Sequence, residues 1–159
     1  MLDKDVTQLA KADIDALVTE KVAEIRTLEY KEKLPDRSDP AKLEFLADIS
    51  SFGNASGGFL LYGIKAEVDA QGKPTGRPEA ALGLKGANGD AEINSWGDLI
   101  RRGISPRLRV EGFAIGGFPL GPVIAFHVPA SYARPHMVSL NDVSRFYSRH
   151  SVGKYQMER

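Results

Sequence analysis

Polar and apolar positions along this chain follow two periods, one helical and one extended. Leu9, Ala10, Ile14, Leu17, Val18 and Val22 recur at helical spacing and predict an amphipathic helix over 7–23, which Asp5 or Thr7 could cap. Thr27–Leu34 then alternates, with Leu28 and Tyr30 set against Glu29, Lys31 and Lys33, and predicts a strand. Asp39-Pro40 marks a helix start, with Asp39 as the cap and Pro40 at a position where no N–H partner is needed. The apolar residues that follow (Leu43, Phe45, Leu46, Ile49, Phe52) occupy more than one side, so this helix should be largely buried. Asn54 and Gly57-Gly58 end it, and Phe59–Ile64 is an unbroken apolar run of the kind found in a central strand buried on both faces.

The second half continues in the same way. Residues 66–88 are rich in Gly, Pro, Asp and Asn and predict a long loop with a short hairpin. Ala91–Arg102 carries Ile93, Trp96, Leu99 and Ile100 on one helical face, with Asp90 at the start and Gly103 at the end. Arg107–Ile115, Val123–Val128 and Val143–Arg149 read as strands, and Pro135–Val138 as a short extended piece. The pattern as a whole predicts an α+β fold, a mixed β-sheet packed with about three helices.

Composition narrows the function classes. At 159 residues, with 42% hydrophobic and 26% charged residues, the chain is expected to be one globular domain over 1–159, an N-terminal helix followed by a core over 24–157. There is no cysteine, which removes disulfide scaffolds, thiolate zinc sites and cysteine nucleophiles. No apolar run approaches the ~18 residues of a membrane span. Met1–Asp5 lacks the basic-then-apolar pattern of a secretion signal, so a cytoplasmic protein with no membrane partner is expected.

Net charge is zero, but it is unevenly placed. Residues 1–100 hold 12 basic and 18 acidic side chains, whereas 101–159 hold 9 basic and 3 acidic ones. Eight of those nine late cations are arginines, whose planar forks suit phosphate. Arg107 and Arg109 lie two apart on a predicted strand and share a face. Arg145 and Arg149 lie four apart on another strand, with Tyr147 between them, flanked by Arg134, His136, His150 and Lys154. Such a surface can grip phosphates and stack on bases, which makes DNA or RNA the expected partner, with no cofactor required. The structural alternative is salt bridging to Glu111 and Asp142. His127, inside the apolar Val123–Val128 run, is expected to be a satisfied, partly buried histidine. The three histidines lack metal-ligand spacing, no Gly-x-Ser-x-Gly elbow occurs, and no lysine stands where a phosphate-binding P-loop needs one.

In order, the chain carries Glu24-x4-Glu29-Tyr30-Lys31, a helix, Ser51-Phe52-Gly53-Asn54-x2-Gly57-Gly58, an apolar strand, a glycine-rich hairpin, a helix, Ile104-Ser105-Pro106, paired strands and Phe146-Tyr147-x-Arg149. This order resembles the Schlafen AlbA-like domain, over about 24–157. The ending Arg149–Met157 looks like the bacterial branch. The resemblance implies a DNA-binding or RNA-binding module, with Lys31 added to the arginines, within a larger bacterial regulatory or defence protein of which this chain is expected to be an excised piece. Because Schlafen cores join two such lobes, it also implies pairing with a second copy.

The resemblance further implies a hydrolytic alternative. In Schlafen endoribonucleases, glutamates at the spacing of Glu24 and Glu29 act with an aspartate just beyond the strand after the Gly-Gly turn, holding Mg2+ or Mn2+. Here Lys65 stands at that place, and Glu67 and Asp69 follow. An offset of two residues moves a side chain ~6–7 Å along a strand. A cleavage site would therefore use Glu24, Glu29 and a displaced Glu67 or Asp69. Otherwise Glu29 is a strand residue paired with Lys31 or Lys33, and Glu24 a helix-end acid.

Overall fold

The apolar run after Gly58 becomes a strand with no solvent-facing side, and the rest of the chain is layered on its two faces. The computed structural model describes residues 8–151 and 153–157. Its elements are α1 (Lys11–Thr19), β1 (Leu28–Lys31), α2 (Asp39–Gly53), β2 (Gly58–Tyr62), β3 (Ile64–Val68), β4 (Pro74–Ala81), α3 (Gly89–Gly103), β5 (Ile104–Ser105), β6 (Glu111–Ile115), β7 (Val123–Val128), β8 (Met137–Leu140), β9 (Val143–His150) and β10 (Gly153–Gln156). This is the expected α+β class, but its strands divide into two four-stranded sheets and a hairpin.

The first sheet has the order β1-β2-β7-β6, with β1 parallel to β2 and the other pairs antiparallel. Alternation along β2 and β7 sends Leu60, Tyr62, Ile124 and Phe126 into a core with Phe45 and Phe52 of α2 and Trp96 of α3. Phe59, Leu61, Val123 and Ala125 point the other way, under Ile14 and Leu17 of α1. Each large side chain buried this way contributes about 1.5–3 kcal/mol.

The second sheet, β10-β9-β8-β5, packs on the opposite side of α2. That helix therefore has sheet on two sides, which is why every residue from Phe45 to Gly53 is buried. Asn54 ties its end to the second sheet. The Asn54 side-chain amide donates to the carbonyls of His136 (2.9 Å) and Tyr147 (2.8 Å), and its oxygen accepts from His136 N–H at 2.6 Å. The turn into β2 is left to Gly57, at φ +76°, where a Cβ would lie 2.5 Å from Ala130 N.

Several boundaries differ from the sequence expectation for local reasons. The helix expected over 7–23 is α1, which stops at Thr19, because Lys21 takes φ +51° and the N–H groups of Lys21 and Val22 close on Val18 and Leu17 carbonyls. The proposed caps Asp5 and Thr7 lie outside the described residues. The cap of α2 is Ser38, whose Oγ accepts from Ala41 N, while Asp39 is the first helical residue. The cap of α3 is Asn88, accepting from Ala91 N at 3.1 Å. The 66–88 region contains the β3–β4 hairpin. Of the strand expected over Arg107–Ile115, only Glu111–Ile115 pairs. The alternation before it arises because Leu108 turns inward over Gly53, where a Cβ would stand 2.7 Å from Leu108 Cδ1.

Candidate nucleic-acid interface

Arg145, Tyr147 and Arg149 alternate along β9 as their spacing requires, but only Arg145, near the start of the strand, is exposed, while Tyr147 and Arg149 are buried against α2. Tyr147 belongs to the core. The Arg149 guanidinium lies 4.0 Å over the Phe52 ring, donates Nε–H to the Arg26 carbonyl at 3.0 Å and Nη2–H to Glu29 Oε1 at 3.2 Å. An arginine so enclosed presents nothing to a polyanion, so Tyr147 and Arg149 are corrected from binding surface to internal structure. Lys31 and Lys154 are partly exposed and each is paired with carboxylates. Lys31 Nζ lies 3.4 Å from Glu29 and 3.5 Å from Asp48, and Lys154 Nζ lies 2.8 Å from Asp48 and also binds Glu44.

These residues form one charge cluster linking β1, α2, β9 and β10, with Glu24 beside it. Glu24 Oε2 accepts from Tyr30 N–H at 3.0 Å, giving an acceptor to an N–H on the outer edge of β1. Burial raises the Glu24 carboxyl above its ordinary value, Tyr30 N–H opposes this, and the nearby Glu29 charge adds to it. Asp48, 2% exposed, is raised chiefly by burial and then by Glu29, with Lys31 and Lys154 pulling it back. Burial works against charge on both lysines, but Asp48 with Glu29 or Glu44 more than offsets it, and both are shifted upward. The cluster is thus a set of mutually neutralising ions.

The other candidate arginines face outward. Arg134 is exposed and donates to the Ala55 carbonyl at 3.0 Å. Arg145 is exposed and has no carboxylate partner among the described residues. Arg107 and Arg109, with Arg101 of α3, line a cavity of about 480 Å³ between α3 and β6. Arg109 stands 3.7 Å from Glu111 with its side chain 82% exposed, so that pairing contributes little. Arg101 pairs with Asp98 one turn earlier on α3. Arg107 has no carboxylate partner among the described residues.

The family model described as Schlafen, AlbA_2 matches residues 24–158. The chain belongs to the Schlafen AlbA_2 family. A solution structure of the N-terminal domain of an ATP-dependent DNA helicase RecG-related protein from Nitrosomonas europaea is similar in fold, at 21% identity and TM-score 0.54, covering 78% of this chain and 75% of that one. Comparison with curated proteins returned no match.

In this Schlafen AlbA_2 domain the carboxylates implied for a metal do not gather. Glu67 binds Lys21 at 2.9 Å and Thr75 Oγ1 at 3.1 Å, and those contacts lower its pKa. Lys65 binds Glu79 at 3.0 Å, and Asp69 accepts backbone N–H groups within the hairpin turn. Glu29 already meets Arg149 and Lys31. Among the described residues, no three histidine, aspartate or glutamate side chains form a metal-binding group. The residues present do not fit a divalent cation in this arrangement.

Sequence reasoning missed two features of the Schlafen AlbA_2 domain. Asp48 was hidden within an apolar helix, where a lone acid at a core position is itself a signal of a buried ion pair. Arg101, one turn beyond Gly97 on α3, stands at the cavity and carries no signal in the sequence beyond its charge. Of the histidines, His136 is fully buried, with Nδ1 donating to the Pro106 carbonyl at 2.7 Å and Nε2 bonded to Ser131 Oγ at 2.6 Å. His127 is half-buried against Phe59, and burial lowers its pKa. Its Nδ1 has no hydrogen-bond partner among the described residues.

Proposed function

We propose that this domain binds DNA or RNA through phosphate contacts from Arg107 and Arg109, with Arg101 beside them and Arg134 and Arg145 adding positive surface. The supporting observation is that arginines from two separate segments line a single exposed cavity, and that Arg107 there has no carboxylate partner among the described residues. Family membership and the basic bias of the last third of the chain favour the same reading. Contacts of this kind grip the backbone without reading sequence. In a larger protein, regulatory or defensive, the domain would supply affinity for a polyanion.

The test is fluorescence anisotropy of the purified chain with labelled single-stranded and duplex oligonucleotides over a salt series. Log affinity should fall linearly with log salt. Arg107→Ala and Arg109→Ala should each flatten the slope by about 0.7 on single strands and about 0.9 on duplex. Binding that ignores salt, or no binding at low salt, would overturn the proposal.

A further inference from the structure

The cavity between α3 and β6 has a composition that phosphate binding alone does not require. Its wall on the α3 side is Ile93 and Ile100, and its base is formed by Phe126 and Val110. Two glycines line it. Gly97 sits within α3, where an added Cβ would find only Arg101 Nη1, 3.5 Å away. Gly112 sits on β6 opposite Phe126, and an added Cβ there would meet Ile93 at 2.8 Å and the edge of the Phe126 ring at 3.3 Å. A side chain at Gly97 would occupy space that the cavity now holds, whereas one at Gly112 would collide with Ile93 and Phe126, so glycine there lets α3 pack close to β6. Asn94 lines the same space, exposed, and its amide has no protein partner among the described residues. It offers a donor and an acceptor together.

A ligand matched to these features has a flat apolar body, an edge that can pair with an amide, and a phosphate for the arginines at the rim. A nucleoside phosphate has all three. The volume of about 480 Å³ is within the range of small-ligand sites, ~300–1,000 Å³. We infer that this cavity receives one nucleotide unit, its base against Ile93 and Val110 with Asn94 at its edge, and its phosphate on Arg107 and Arg109. The inference deepens the proposed function, on which it rests for the choice of ligand. It adds that the domain takes an unstacked base and so favours single strands or strand ends over intact duplex. A free mononucleotide would satisfy the same chemistry.

The experiment compares an oligothymidylate with an abasic sugar-phosphate chain of equal length, and both with thymidine 5′-monophosphate, on wild type, Gly97→Leu and Asn94→Ala. Leucine at 97 fills the cavity while replacing a poor helix former with a good one, so the fold should survive, which thermal melting checks. Wild type should bind the base-bearing oligomer about tenfold more tightly than the abasic one. Gly97→Leu should abolish that preference and leave abasic binding intact, and Asn94→Ala should weaken it. Equal affinity for both oligomers, or a preference that survives Gly97→Leu, would overturn the inference while leaving phosphate binding standing. Mononucleotide binding that Gly97→Leu removes, without affinity for either oligomer, would support the cavity assignment and reject the proposed function.

Discussion

Arg149 and Glu29, 120 residues apart in the chain, meet at 3.2 Å with the arginine side chain 2% exposed. The contact joins the edge strand of one sheet to an inner strand of the other. It is a single guanidinium–carboxylate contact, from Nη2 to Oε1, and both partners belong to the protein.

Removing the arginine should therefore be read as a loss of structure. Arg149→Ala leaves Glu29 half-buried without its main counter-ion and the Phe52 ring uncovered, and it should destabilise the fold by about 3–5 kcal/mol. Urea denaturation measures this. Arg149→Lys should recover only part of the loss, since an ammonium cannot stack over Phe52 while donating to both Glu29 and the Arg26 carbonyl. A neutral Arg149→Ala would show that the pair contributes nothing.

Asp48 gives the fold a pH dependence of known sign. Its carboxyl is raised, by burial first and Glu29 second, above the unfolded value of ~3.9. The folded state then holds the proton more tightly than the unfolded chain does. That contribution is full below ~3.9 and is lost as pH rises through the folded value. Denaturation of wild type and Asp48→Asn across acidic to neutral pH should show the stability of wild type relative to the variant falling over that window and level above it. A difference that rises with pH would mean that Lys31 and Lys154 dominate the site.

Two backbone positions should respond by different amounts. Ser38→Ala removes the hydrogen bond from the first turn of α2 and should cost about 1 kcal/mol. Gly57→Ala should cost more, because it places a Cβ 2.5 Å from Ala130 N at φ +76°. Shifts in the urea midpoint would rank the two, and the reverse order would contradict the turn geometry.

The carboxylates near β1 should behave as parts of the ion cluster. Structured RNA incubated with the chain and Mn2+ should remain intact by gel, and Glu29→Gln should lower the denaturation midpoint. Cleavage by wild type that disappears in Glu29→Gln would instead make Glu29 a group acting on the RNA.

Much of the fold was legible in the sequence because its strongest signals were local. Phe59–Ile64 announced a strand covered on both faces, and the apolar residues of Leu43–Phe52, spread over more than one side, a largely buried helix. Strands such as Ile104–Ser105 and Gly153–Gln156 were too short to carry a period. The site was harder to read. Period two placed Arg145, Tyr147 and Arg149 on one face, but it cannot distinguish an inner face from an outer one. Only the position of α2 decides that. The ion pairs of Lys31 and Lys154 differ in how far the sequence shows them. The partners of Lys154, Asp48 and Glu44, lie on a helix remote in sequence from β10 and leave no spacing to find, whereas the Lys31–Glu29 pair was visible as the alternative reading of that strand.

The placement of α2 between the two sheets also bears on how the molecule comes apart. Both sheets use one helix as a shared wall, and Asn54 fastens that wall to the strands beside it. Neither half can open while the other stays shut, so amide protons in β2 and β9 should exchange only through the same global opening, at a single common rate-determining free energy.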